Sequence, residues 1–340
     1  MAKPVRWGIM GNANIARVCV IPAIQKSRNG SVHALATRSP QLAKGVAEKN
    51  NIPFLYDNYE ALLTDKHVDA VYIPLPNHLH RPWTLKCLQA GKPVLCEKPL
   101  ACNTQEAIEM TRAAEVSNLL LMEALMYRYH PRSQIIKKLV KKGKIGDLRL
   151  VRSAFCYQLE GSVLEEGTNF RLRPETGGGA LLDVGCYAVS VARWFFGHEP
   201  SHVQAHAAMN SQGVDIHLVG NLVFSKGAFC SLEVSFVSAL QQTYSVIGQE
   251  GALELPHDAF ITWEKDARYQ LRGATEEIGQ EFIIPGADEY QLMVEHFADI
   301  LRGLAEPAFP LSDSVANMRV LDALNEAARS KCTVSVHQID

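Results

Sequence analysis

Short apolar runs alternate with stretches of helical periodicity over the first third of the chain. Residues 5–10 (VRWGIM) end in a Gly-Asn-Ala-Asn punctuation and lead into a helical stretch at 14–27. Further apolar runs follow at 32–36, 68–75, 93–96 and 119–123, with helical stretches at 40–50, 81–90 and 104–117 among them. Apolar strands separated by helices of about ten or more residues imply βαβ units. Their right-handed crossovers gather the carboxyl ends of the strands on one edge of a parallel, doubly wound sheet, where ligands bind.

After about residue 148 the texture changes. Runs at 148–157, 202–209, 215–224, 228–238 and 243–248 are β-rich and partly alternating, and helix-like segments stand at 180–196, 288–303 and 312–329. This predicts an α+β domain with a large, mostly antiparallel sheet, covered by helices on one face and open on the other. The open face is an expected docking place for a twin, giving a homodimer or homotetramer. The domains are expected at 1–124 and 125–340, with the last helices free to pack back on the first.

Composition narrows the partners. With 340 residues and 47% of them hydrophobic, the chain is long enough for two such cores. A net charge of -2 leaves no electrostatic footprint for nucleic acid or an anionic membrane. No apolar run approaches the length of a membrane span, and the eight cysteines form no CxxC pair. Reduced thiols and a cytoplasmic location are the expectation.

The turn after the first run reads Gly8-Ile-Met-Gly11-Asn12-Ala13-Asn14-Ile15-Ala16. Small residues there permit a tight bend and bring backbone N–H groups at a helix start up to a pyrophosphate. Two of the three fingerprint glycines have become alanine, so the signal rests on its place after the first strand. The end of the second run is more telling. Where a fold selective for NAD carries a carboxylate, this chain has Ala36-Thr37-Arg38-Ser39, and no acid until Glu48. A guanidinium pairs with a phosphate dianion in fork geometry, and Thr37 and Ser39 add hydroxyls. The expected cofactor is NADP rather than NAD.

Candidate chemistry lies at two further places. Glu97-Lys98-Pro99-Leu100 follows the run at 93–96, which sets Lys98 at the ligand edge of the sheet. Downstream, Gly177-Gly-Gly-Ala-Leu-Leu-Asp183-Val-Gly-Cys-Tyr187 spaces an Asp and a Tyr four apart, on one face of a helical turn. A phenol, with its ordinary pKa of about 10, needs a neighbouring cation to exchange protons near neutral pH. A lysine–tyrosine pair meets that need.

These segments, with Pro76-Asn77-His78-Leu79-His80 and Met126-Tyr127-Arg128-Tyr129-His130-Pro131, resemble the glucose–fructose oxidoreductase/inositol dehydrogenase family over essentially the whole chain. The form with Gly185-Cys186-Tyr187 is similar to its branch of dimeric dihydrodiol dehydrogenases and NADP-dependent xylose dehydrogenases. The resemblance implies a Rossmann domain followed by the α+β domain. It also implies an NADP-dependent dehydrogenase acting on a CH–OH group of a sugar, polyol or trans-dihydrodiol. Lys98 and Asp183 are implied as catalytic, with Tyr187 as general acid/base. Gly11 to Ile15, Thr37 to Ser39, Pro74, Asn77, His80, Glu97 and Lys98 are implied around the cofactor. Tyr127, Arg171, Asp183 and Tyr187 are implied around the substrate. One departure stands out: many relatives have another Asp three residues after the His/Tyr position, where this chain has Ser190.

His78 and His80, two apart and without a third ligand, do not make a metal site, and no metal is expected. Two other functions remain open: an oxidoreductase that holds NADP tightly while exchanging hydride between two sugars, and a nicotinamide-binding sensor without catalysis. Retention of Lys98, Asp183 and Tyr187 argues against the sensor. Substrate choice rests on loops around 126–131, 157–173 and 232–242. The cofactor expectation is directly testable. Arg38→Ala should weaken NADP binding by about 10- to 100-fold, the contribution of a charge-assisted contact, and leave NAD nearly unchanged. Equal losses for both cofactors in a titration would remove this role from Arg38.

Overall fold

The structure, a computed structural model, describes residues 3–160 and 169–336. The chain divides into two compact units, the first made of residues up to 126 with 288–315, the second of 127–287 with the remainder.

In the first unit six strands form one parallel sheet: β1 (Val5–Met10), β2 (Gly30–Ala36), β3 (Phe54–Tyr56), β4 (Ala70–Ile73), β5 (Val94–Cys96) and β6 (Leu121–Glu123). Their order is β3-β2-β1-β4-β5-β6, the dinucleotide-fold order with its reversal between β1 and β4. The connecting helices are α1 (Ile21–Lys26), α2 (Pro40–Lys49), α3 (Tyr59–Thr64), α4 (His80–Gln89) and α5 (Thr104–Ser117). The apolar runs of the sequence are β1, β2, β4, β5 and β6, of which β4, β5 and β6 are buried throughout, on both faces, as the centre of a parallel sheet requires. The short β3 and α3 were not anticipated. A three-residue strand and a six-residue helix are too brief to show a period.

The second unit is built on α6 (Pro131–Lys141), the strands β7 (Leu148–Gln158), β8 (His202–Met209), β9 (Asp215–Phe224), β10 (Ala228–Ser235) and β11 (Val237–Gly248), and α7 (Cys186–Phe196) between β7 and β8. The strands β12 (Gly251–Leu255), β13 (Ala267–Gly273) and β14 (Gln280–Ile284) extend the sheet on one side, and β15 (Val334–Ser335) closes the other. The nine strands run β14-β13-β12-β11-β7-β10-β9-β8-β15, and every pairing but β7 with β10 is antiparallel. Burial alternates strictly along β8, with His202, Gln204 and His206 outward and Val203 and Ala205 inward. The exposed side of β8 is therefore polar, while Val219 and Phe229 are exposed on the neighbouring β9 and β10.

Two helices complete the chain, α8 (Glu289–Leu301) and α9 (Leu311–Ser330). Within the first unit α8 sets Phe297 against Trp7, ring centroids 4.8 Å apart, and Glu295 and Asp299 bind Arg28. One expectation needs correction. The helical segment Pro174–Phe196 is long and apolar enough to cross a membrane, yet 78% of its most apolar window is buried inside the protein. It is apolar on all sides because it is a core helix.

Candidate active site

In the first unit the parallel sheet brings four loops to one edge. Residues 11–15 follow β1, 37–39 follow β2, 74–77 follow β4 and 97–98 follow β5. Gly11 has φ of 118° and donates its N–H to Ala36 O at 2.8 Å, tying the first two loops together. A Cβ at Gly11 would lie 2.9 Å from Leu75 Cδ2, so the turn is closed to any side chain. Beyond it the first helix opens with a wide π turn, Ala16–Val20, before α1. Asn12 Nδ2 donates to Leu42 O at 3.3 Å, while its Oδ1 is buried without a protein partner. Thr37 is buried, and Ser39 N–H donates to its hydroxyl at 3.3 Å. Arg38 lies exposed beside them, with no carboxylate on this loop. A tight glycine turn at a helix start and an accessible guanidinium fit the pyrophosphate and ribose phosphate of a dinucleotide, and the orphaned amide oxygen, an acceptor, fits a ribose hydroxyl.

The turn that carries Lys98 is tied down from three sides. Glu97 is buried, accepting from Tyr72 Oη at 2.5 Å and from Lys98 N–H at 3.3 Å. Glu123, buried at the end of β6, accepts from Leu100 N–H at 2.9 Å. His80, fully buried, sets Nδ1 2.9 Å from Pro99 O and Nε2 2.7 Å from Leu75 O. Burial pushes its pKa down to about 4. The ring thus braces the Lys98 turn through backbone, and Lys98 itself is half-exposed. Pro74 and Asn77 are buried in the adjoining loop.

In the second unit the Asp-x-Gly-x-Tyr segment forms another π turn, Leu181–Gly185, continuing into α7. Such wide turns occur frequently at functional sites. Asp183 Oδ2 accepts from Tyr157 Oη at 2.7 Å and from Arg171 Nε at 3.1 Å, so the predicted Arg171 and Asp183 meet as an ion pair. Tyr187 is buried, its ring near Phe155, Phe260 and Tyr127 at centroid distances of 5.5, 5.4 and 6.0 Å. Tyr127 is buried too, and its hydroxyl lies 2.8 Å from Ser190 Oγ. Ser190 also accepts from Arg128 Nη2 at 2.8 Å, which is how this chain uses the position where relatives carry Asp. Residues 161–168 of the substrate loop lie outside the described residues. Among the described residues no group of three His, Cys, Asp or Glu side chains is placed to hold a metal.

Two functional neighbours escaped sequence reading. Tyr157 sits at the end of a β-run with nothing to distinguish it from a packing residue. Asp215, at the start of β9, is buried and accepts from Leu181 N–H at 2.7 Å at the start of the helix that carries Asp183 and Tyr187. Gly179, at φ 123°, makes room for it: a Cβ there would run into Asp215 Oδ1.

The strand order and the glycine turn after the first strand are those of the dinucleotide fold used by nicotinamide-dependent oxidoreductases. The chain belongs to the GFO/IDH/MocA oxidoreductase family. Residues 5–125 match its oxidoreductase model with an NAD-binding Rossmann fold, and residues 133–254 its C-terminal domain. The family resemblance and the fold expected from the sequence are both borne out. The chain is 37% identical to D-xylose 1-dehydrogenase (NADP(+)) 2 of Haloferax volcanii, over 97% of its own length and 99% of that protein. It is 31% identical to trans-1,2-dihydrobenzene-1,2-diol dehydrogenase of Mus musculus, over 95% of its length and 96% of that enzyme. Its fold is similar to KijD10, a 3-ketoreductase from Actinomadura kijaniata solved with NADP and TDP-benzene. The TM-score is 0.88 at 28% identity, covering 96% of this chain and 98% of that one.

Asp215 generates a pH prediction. Burial pushes its carboxyl up to about 7, against hydrogen bonds from Leu181 and Ala180 N–H that pull it down. In the unfolded chain the group titrates near 4 and so loses its proton first as the pH rises. Its share of stability is full below about pH 4, falls as the pH climbs to about 7, and changes no further above that. Asp215→Asn should remove this step. In urea titrations the variant should gain on the parent between about pH 4 and about pH 8, and a difference independent of pH would contradict the assignment.

Proposed function

We propose that this protein is an NADP-dependent dehydrogenase acting on a CH–OH group of a sugar or trans-dihydrodiol, with Tyr187 as general acid/base assisted by Lys98. The observation that carries the reading is the buried phenol of Tyr187 one turn from Asp183, in a chain whose dinucleotide sheet presents Lys98 at its ligand edge. The relatives named above, a xylose dehydrogenase and a dihydrodiol dehydrogenase, support the substrate class. Arg38, on a loop without a carboxylate, supports NADP, as do the cofactors in those relatives' and neighbours' names.

The Gly11–Ile15 turn and the 37–39 loop would hold the pyrophosphate and the phosphorylated ribose, and Pro74, Asn77 and Glu97 the neighbourhood of the nicotinamide. The cofactor, when bound, supplies the hydride acceptor or donor. The chain's own groups manage the proton. Tyr187 Oη takes it from the substrate hydroxyl in oxidation and returns it in reduction. The Lys98 ammonium favours the phenolate and hydrogen-bonds the reacting oxygen. Asp183, paired with Arg171 and hydrogen-bonded by Tyr157, orients the substrate. The aromatic wall of Phe155 and Phe260 holds the phenol in place and excludes water.

Tyr187→Phe keeps the ring and deletes the proton carrier. Turnover with an accepted aldose or dihydrodiol should fall by about 10²–10⁴ while NADP affinity is retained. Near-normal turnover across the pH range would transfer the proton to another group and overturn the reading.

A further inference from the structure

A buried chain of hydrogen bonds in the second unit ends one residue before Tyr187. Asn317, on α9, is buried, and its Nδ2 donates to Cys186 O at 3.1 Å across 131 residues of sequence. Its Oδ1 accepts from Arg193 Nη1 at 3.3 Å. Arg193 is buried as well, and its Nε and Nη2 donate to the two carboxylate oxygens of Glu199 at 2.6 and 2.7 Å. Glu199, its side chain 26% exposed, is where the chain of contacts reaches solvent.

The partners dictate the residue type at 317. A carbonyl only accepts and a guanidinium only donates. The primary amide between them does both, in one orientation. A carboxylate there would satisfy Arg193 but set an acceptor against Cys186 O, and an apolar side chain would serve neither buried group. Cys186 O belongs to the planar peptide unit whose nitrogen is that of Tyr187. Cys186 and Arg193 are seven apart on α7, two turns along one face, so Asn317 grips that helix at two points. The grip matters most at the first turn. There α7 follows directly on the π turn Leu181–Gly185, where the regular helical ladder is interrupted.

We propose that Asn317 is a positioning residue: by holding the Cys186 carbonyl it fixes the backbone from which the Tyr187 phenol projects, and with it the reach of the hydroxyl to the substrate. This rests on the reading of Tyr187 as the proton carrier, and the experiment keeps the two apart.

Turnover number, KM and melting temperature would be measured on the full chain and on Asn317→Asp, Asn317→Leu, Glu199→Gln, Tyr187→Phe and Asn317→Asp with Tyr187→Phe. The assay uses NADP and the aldose or dihydrodiol on which Tyr187→Phe is tested. Asn317→Asp keeps the size and the Arg193 bond and removes the donor to Cys186 O. Asn317→Leu removes the same donor without adding a charge. Both should lower kcat by about 10- to 100-fold, the cost of a small misplacement of a reacting group, and leave KM for NADP unchanged. Glu199→Gln weakens the same chain at its far end, and should lower the melting temperature while leaving kcat unchanged. In the Tyr187→Phe background Asn317→Asp should lower kcat no further. The positioning role is overturned, with the Tyr187 reading intact, by any of three results. The first is parental kcat in both Asn317 variants; the second is kcat that falls with melting temperature in Glu199→Gln as well; the third is an equal further loss in the Tyr187→Phe background. Near-normal turnover of Tyr187→Phe overturns both readings together.

Discussion

The placement of Lys98 depends on a buried imidazole between two backbone carbonyls. His80 stands at the first turn of α4 and spans from Leu75 O, after β4, to Pro99 O, after β5. Burial pushes its pKa down to about 4, while the two carbonyls, which can only accept, pull it back by favouring N–H on the ring. Glu123 adds a bond to Leu100 N–H, and Glu97 one to Lys98 N–H. A lysine at a strand end would otherwise sample many positions. Here its backbone is fixed from the strands on either side, and only the side chain remains to respond to a ligand.

The second unit applies the same logic to carboxylates. Asp183, four residues before Tyr187, pairs with Arg171 and accepts from Tyr157. Asp215 accepts at Oδ2 from Leu181 N–H, and burial drives it toward the neutral form against that bond and the Arg329 charge. One carboxylate pairs with Arg171 and Tyr157 and the other anchors the start of the helix. Their environments, more than their positions in sequence, divide the two roles. The π turn at Leu181–Gly185 lies between them, and Gly179 is required because no side chain fits beside Asp215.

Much of this was legible in the residues. The βαβ alternation appears because each strand of a sheet buried on both faces must be a continuous apolar run, and α5 falls at the 104–117 expected from its period. Arg38, Lys98, Asp183 and Tyr187 were legible because each sits at a fixed offset from a strand end or glycine run. Tyr157 and Asp215 were not. Asp215 looked like an ordinary strand terminus until β9 brought it to Leu181, across 34 residues. Contacts of that kind are made by topology, and no local spacing encodes them. The strands β13 and β14 escaped notice because they are largely half-exposed, which blurs the alternation that marks a covered strand, and β12 because it is buried and only five residues long.

Lys98 and Tyr187 are contributed by different units, and the account stands on their acting as one proton-transfer pair. The direct measurement is kcat/KM for Lys98→Ala, Tyr187→Phe and the double variant with one substrate at one pH. Groups that act as a unit lose their effect together, so the double variant should fall within about threefold of the worse single one. A double loss equal to the product of the two single losses would mean that the groups act independently, and would contradict the account.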